Sequence, residues 1–481
     1  MKKFPENFVW GIGGAAYQIE GGIEAHGREP SIWDTFCLTH ATSIKCADRA
    51  DLSYLLYPTD VQNAADLNMK SYRFSLSWSR VMKWDEYRGK MVPNEEGLAY
   101  YENLIKLMKE KNLQPLVTMY HWDLPQALID NLGGYTKGGW LHESIADRFE
   151  EYAKLLFERF GKDVPYWITL NEPWTFLNLG YSAGVHAPGL ANNGTWVYKA
   201  AKNALLAHAK AAHLYKKMRS EGKVTSEGKI MITLNMDNAL PLDPKNPQDV
   251  EAASRVFAFQ LGWFLTPLMY GHWPKEMIDT VQDRLPKLSP EESAFLMGAD
   301  DGIMGINHYT THLCKMQAKS ANQTPGWGND MGVDLAKFPE GAIPGGNDAQ
   351  GKPLCSWFAG YPKGFRSCFR RIYSMMKEGT KIFITENGFC ASVATPEEQK
   401  TSEENMLKVL QGTLNEMHDS IFVDHVPIVG YAFWSLMDNY EWGSYQPRFG
   451  IMRVDRNTAD LRRSSKPAAD WYKEVAKNNA L

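Results

Sequence analysis

Short runs of β-branched and aromatic residues recur along this chain, separated by stretches with helical periodicity, and that alternation limits the folds open to it. The runs lie at 9–16, 71–78, 114–120, 166–170, 229–236, 302–309, 381–385 and 426–436. Each is apolar through most of its length and bounded by charged or turn-forming residues, as expected of strands buried on both faces. Between them, 96–111, 145–160, 199–218, 250–269 and 402–417 repeat apolar residues at helical spacing with charges on the opposite side. Alternating strands and helices call for a parallel sheet, and eight repeats predict a closed (β/α)8 TIM barrel with long βα loops. The 481 residues are read as one domain, because no linker or low-complexity tract interrupts them. A doubly wound open sheet is the alternative. It usually carries a Gly-rich phosphate loop that opens a helix after the first strand, and Gly11-Ile12-Gly13-Gly14 opens none. Irregular stretches at 31–58 and 310–365, rich in Gly, Pro, Asn and Ser, are expected as loops on the face where barrel enzymes act.

Two strands of similar design stand out. Lys381-Ile382-Phe383-Ile384-Thr385-Glu386-Asn387-Gly388 and Trp167-Ile168-Thr169-Leu170-Asn171-Glu172-Pro173 each run out in a glutamate. A carboxylate at the end of a buried strand is partly desolvated, at a cost that a paired-carboxylate site explains. Other polar residues lie just past strand ends: Gln18 and Glu20 after the first, His121-Trp122-Asp123 after the third, Asn307 and Tyr309 at the sixth. Arg73 lies in the second strand, and Trp434, Glu441 and Trp442 come from the eighth and its loop. Parallel barrel strands bring all these ends to one rim. Taken singly, His121 reads as a satisfied buried histidine and Trp434 as core. Together, the amides, carboxylates, histidine and tryptophans suit a sugar, whose hydroxyls need matched donors and acceptors and whose C–H face needs an aromatic platform.

At these positions the chain resembles glycoside hydrolase family one, the β-glucosidase family, from Phe8 to about Trp471. The motifs that carry the resemblance are Tyr17-Gln18-Ile19-Glu20-Gly21, Tyr72-Arg73-Phe74-Ser75, His121-Trp122-Asp123-Leu124-Pro125 and Thr169-Leu170-Asn171-Glu172-Pro173. Ile384-Thr385-Glu386-Asn387-Gly388 and the stretch 434–442 complete the set. The resemblance implies a retaining β-glycosidase, with Glu172 as general acid/base and Glu386 as nucleophile. It further implies that Arg73 and Tyr309 orient the nucleophile, with Asn307 in support. Gln18, His121, Trp122, Asn171, Glu441 and Trp442 would bind the sugar, and Trp434 would floor it. Trp357 is assigned to the aglycone side. No metal or organic cofactor is implied. The substrate expected is a small β-glycoside or short oligosaccharide.

Two departures from the family pattern are visible. Asp51-Leu52-Ser53-Tyr54 replaces the usual Cys-Asp-His-Tyr and is read as a packing difference. The loop 441–449 is one residue shorter than common, which leaves open the contact to the sugar's C6 hydroxyl and the role of Phe449. A 6-phospho-β-glycosidase is disfavoured because Glu441 would repel a phosphate. A plant-type thioglucosidase would replace Glu172 with Gln, and a non-catalytic sugar-binding relative would lack one of the two glutamates.

Net charge of -4 without a basic block gives no reason to expect nucleic acid. No stretch reaches the roughly 18 apolar residues of a membrane span. The six cysteines are irregularly spaced, which argues against a disulfide scaffold or a zinc site and leaves pairing of Cys37 with Cys46 open. A cytoplasmic location is the default, with secretion the rival; a homo-oligomer stays open.

Overall fold

The computed structural model describes residues 2–191, 193–318 and 323–481. Eight parallel strands close into a barrel: β1 (Val9–Gly13), β2 (Ser71–Ser75), β3 (Gln114–Tyr120), β4 (Tyr166–Asn171), β5 (Lys229–Asn235), β6 (Ile303–Asn307), β7 (Lys381–Asn387) and β8 (Ile428–Phe433). β1 pairs with both β8 and β2, which closes the ring. A helix follows each strand: α1 (Ser53–Asp66), α2 (Glu95–Glu110), α3 (Ile145–Phe160), α4 (Trp196–Ser220), α5 (Pro247–Val256), α6 (Phe365–Ser374), α7 (Pro396–Phe422) and α8 (Pro467–Asn478). All eight strand segments expected from the sequence are present: five are shorter than expected, 114–120 matches, and β4 and β7 run on to Asn171 and Asn387.

The barrel interior is layered. Val9, Leu116, Ile168, Met231, Ile303, Phe383 and Ala432, one from every strand but β2, form a separate apolar plug. The rest of the apolar core lies between the strands and the surrounding helices. Toward the C-terminal ends of the strands the interior turns polar. Arg73 Nε donates to Thr118 Oγ1 at 3.1 Å, Thr385 Oγ1 to Asn307 Oδ1 at 2.7 Å, and Thr233 and Thr385 share a hydrogen bond of 3.1 Å. All of these side chains are buried. Buried polar groups persist only when their hydrogen bonds are made internally, so this layer holds its members in one arrangement.

Three elements differ from the sequence expectation. The single helix expected at 250–269 is interrupted after α5 by a π-helical turn, Phe257–Gly262, before Trp263–Tyr270 resumes. Such turns widen the backbone locally and recur at functional sites; this one brings Gln260 to the cavity described below. The stretch expected to be irregular at 31–58 contains the helix Ile32–Thr39 and the start of α1. Ser31 caps the first through a reciprocal pair with Asp34, which periodicity over so short a helix does not reveal. Finally, four cysteines pair. Cys37 joins Cys46, and Cys355 joins Cys390. The second bond spans 35 positions of sequence, and only tertiary proximity makes it visible.

The departure at 51–54 serves packing. Asp51 pairs with Arg456 at 2.7 Å, Ser53 donates to Asp60 at 2.7 Å, and Asp60 pairs with Arg463 at 2.9 Å. These bonds fasten the loop after β1 to the C-terminal segment, and none of these residues lines the catalytic cavity.

Candidate active site

A cavity of about 1030 Å³ opens at the C-terminal ends of the strands, and Glu172 and Glu386 both line it. Each reaches it through a local break in regular structure. Glu172 follows β4 with φ 50° and ψ 65°, a left-handed conformation that costs a non-glycine residue roughly 1–3 kcal/mol and concentrates at functional sites. Pro173 then starts the helix Pro173–Tyr181, pre-set in φ for that position. Glu386 lies in β7, where the register against β6 slips between Ile384 and Glu386. Strict strand alternation would send Thr385 and Glu386 to opposite faces. The bulge instead lets both bond inward, as bulges beside active sites commonly do.

The two carboxyls have different partners. Glu172 accepts from Asn307 Nδ2 at 2.7 Å and from the Thr175 hydroxyl at 2.7 Å, both neutral donors. Glu386 accepts from Arg73 at 2.7 Å and from the Tyr309 hydroxyl at 2.8 Å. Burial, with the nearby Glu386 charge second, pushes the Glu172 carboxyl up to about 8. Burial also raises Glu386, but Arg73 first and then the Tyr309 hydroxyl pull it back toward ionisation. Tyr309 keeps its proton, because burial and then the Glu386 charge hold the phenol well above its ordinary range. Glu441 faces the same cavity and is pushed up to about 8 by burial, Glu386 and Glu172. Of these three carboxyls, only Glu386 has a guanidinium partner among the described residues. The carboxyl touching that guanidinium loses its proton first.

Around this pair the rim residues assemble in layers. Gln18 Nε2 donates to the Tyr440 carbonyl at 2.8 Å and to Glu441 Oε2 at 3.3 Å, and Gln18 Oε1 has no hydrogen-bond partner among the described residues. His121 is held neutral by burial and by Arg73; Asn171 Nδ2 donates to its Nε2 at 3.3 Å. Trp122 Nε1 donates to the Asn171 carbonyl at 2.8 Å. Trp434 stacks on His121 with centroids 5.6 Å apart. Its seat depends on Gly388, where a Cβ would lie 2.1 Å from the Trp434 carbonyl oxygen. Trp442 packs on Trp122 at 4.4 Å and on Tyr17 at 6.1 Å.

Of the residues expected from the sequence, Gln18, His121, Trp122, Glu172, Tyr309, Trp357, Glu386, Trp434, Glu441 and Trp442 line the cavity. Arg73 and Asn307 lie beneath it. Asn171, expected against the sugar, also sits beneath the wall, its amide oxygen taken by Arg73 at 2.7 Å and Asn307 at 3.1 Å. Phe449, left open by the shortened loop, lines the cavity and lies parallel to Trp357 at 6.4 Å. Sequence reading missed Thr175 and Asp237. A carboxylate that receives the backbone N–H groups of Tyr309 and Thr310, at 3.0 and 3.1 Å, leaves no periodic signal. Thr175 was open to notice, being three residues past Glu172 at the start of a helix.

Comparison with known proteins agrees with this geometry. The glycosyl hydrolase family 1 model matches residues 1–481. The chain belongs to glycosyl hydrolase family 1. Among curated family 1 relatives, beta-glucosidase 11 of Oryza sativa subsp. japonica is 37% identical, aligned over 98% of this chain and 89% of that protein. Raucaffricine-O-beta-D-glucosidase of Rauvolfia serpentina is 36% identical over 99% and 93%. A rice β-glucosidase mutant solved in a covalent complex with glucose superposes with a TM-score of 0.88 at 35% identity, covering 98% of both chains. An aphid myrosinase superposes with a TM-score of 0.85 at 33% identity, covering 99% of both. This family 1 chain is an O-glycosyl hydrolase of the β-glucosidase type, built on the TIM barrel, and its substrates are glycosides.

Proposed function

We propose that this enzyme removes terminal β-D-glucosyl residues by double displacement, with Glu386 as nucleophile and Glu172 as acid/base. The observation that carries the assignment is the unequal setting of two carboxyls in one cavity: Arg73 beside Glu386, only neutral donors beside Glu172. In the first step a Glu386 oxygen bonds to the anomeric carbon while the bond to the aglycone oxygen breaks, and Glu172 gives that oxygen its proton. In the second, water attacks the anomeric carbon, Glu172 takes its proton, and Glu386 leaves as carboxylate. Arg73 and Tyr309 stabilise the carboxylate before and after the covalent stage. Gln18, His121 and Glu441 supply donors and acceptors for the sugar hydroxyls, with Trp434 under its C–H face. Asn171 positions Arg73 and His121 from below.

The aphid myrosinase likeness favours a second reading, in which the enzyme also cleaves S-glucosides. A phosphorylated sugar is disfavoured by the ionised Glu386 in the cavity. The two disulfides support an oxidising location in place of the cytoplasmic default.

The test is a panel of nitrophenyl β-glycosides including a thioglucoside and a 6-phosphoglucoside, ranked by kcat/KM, with Glu386→Gln alongside. The glucoside should rank first, and Glu386→Gln should lose turnover while melting normally. Ordinary hydrolysis by that variant would remove the nucleophile assignment.

A further inference from the structure

Lys466 is the one lysine buried among the described residues, at 2% exposure, and the double displacement described above does not use it. It is the N-cap residue of α8, with Pro467 opening the helix. A helix N-terminus favours anions, and an ammonium is costly to bury unless it is paired. Neither the helix nor the core therefore accounts for a lysine at this place. Its Nζ donates to Asp438 Oδ1 at 2.7 Å. The same oxygen accepts the Gly450 backbone N–H at 3.0 Å, and an Arg448 nitrogen stands 3.9 Å from Oδ2. Asp438 is 1% exposed. Apolar groups of like volume often replace a buried ion pair without loss of stability, so such a pair points less to stability than to a fixed local arrangement.

What is arranged here is the stretch 435–442, which follows β8 and brings Glu441 and Trp442 to the cavity. It belongs to no helix or barrel strand, so single hydrogen bonds hold it. The Asp438 backbone N–H donates to the Met452 carbonyl at 3.0 Å, and the Tyr440 N–H to the Gln18 carbonyl at 3.1 Å. Asn439 Nδ2 donates to Ser435 Oγ at 3.2 Å, and its Oδ1 accepts from Gln18 Nε2 at 3.3 Å. The Glu441 N–H donates to the Ser444 carbonyl at 2.7 Å and closes a tight turn through Trp442 and Gly443, at φ 41° and 115°. Without the ammonium, Asp438 is a buried carboxylate that reaches water only if its backbone moves, and Asn439, Tyr440 and Glu441 move with it. We infer that Lys466 is a positioning residue: through Asp438 it fixes the stretch 438–442, and so the place of Glu441 and Trp442 against the sugar. Neither Lys466 nor Asp438 lines the cavity. The inference rests on the reading of Glu441 as a sugar ligand.

The test is a double-mutant cycle read in kcat/KM for nitrophenyl β-glucoside. Lys466→Met should lower it by roughly tenfold to a hundredfold, the scale on which misplaced binding groups cost activity. In a Glu441→Gln background the same substitution should cost at least about fivefold less, because a residue it positions is already disabled. A role in general stability would instead give equal losses in both backgrounds. If Lys466→Met does not fold, the charge-free pair Asp438→Asn/Lys466→Met buries no lone charge; it should melt near the parent and still lose at least about fivefold. Parental kcat/KM in either variant, or equal losses in the two backgrounds, would overturn the inference. If Glu441→Gln by itself costs nothing, the sugar-ligand reading fails separately. Amide hydrogen exchange then decides the role of Lys466: faster exchange in Lys466→Met confined to 438–445 supports it, and unchanged exchange there overturns it.

Discussion

Replacing Tyr309 by Phe should move one limb of the pH–rate profile and leave the other in place. The Tyr309 hydroxyl donates to Glu386 Oε2 at 2.8 Å, and a hydrogen bond to a charged group is worth about 1.5–3 kcal/mol. Because that bond favours the carboxylate, losing it raises the pKa of Glu386; at about 1.36 kcal/mol per unit the rise is roughly 1–2 units. The nucleophile must be ionised, so activity on the acid side should begin to fall at a pH higher by that amount. The alkaline limb, set by loss of the Glu172 proton at about 8, should hold its place. Packing should survive, since the ring keeps its edge contacts with Trp357 at 5.5 Å and Phe449 at 6.0 Å. The assay is kcat/KM for a nitrophenyl glucoside from pH 4 to 9, because that parameter reports the free enzyme's ionisations. An unmoved acid limb, or movement of the alkaline limb alone, would refute the division of roles between the two glutamates.

Glu172→Ala should slow methyl glucoside far more than dinitrophenyl glucoside, since acid assistance matters little when the leaving group is already acidic; equal losses would count against the acid role. Glu441 titrates at about 8 in the fold against an ordinary 4.5, so the stability it contributes is whole below pH 4.5 and is lost as pH rises toward 8. Glu441→Gln should therefore raise Tm at pH 8, by the equivalent of a few kcal/mol at about 1.36 per unit, change it little at pH 4, and weaken glucoside binding; calorimetry at the two pH values decides. Cys355→Ser should lower stability by about 4 kcal/mol from loop-closure entropy, given the span of 35 residues, and denaturant titration measures it. A variant as stable as the parent would show that the bond does not form.

The barrel was legible because its cause is local: apolar runs at strand length and periodic helices dictate a parallel α/β sheet wherever they alternate often enough. Glu172 and Glu386 were legible for the same reason, as charges ending runs that otherwise bury. The sequence could place them on one rim but not set their difference. That difference comes from groups distant in the chain, with Arg73 separated from Glu386 by 313 positions, and from a bulge and a left-handed residue that break the periodicity on which sequence reading depends. The seating of Asn171 against Arg73 and Asn307 and the Cys355–Cys390 bond have the same origin. Desolvation, hydrogen bonding and cavity shape are properties of neighbours in space, and only the folded chain decides which residues those are.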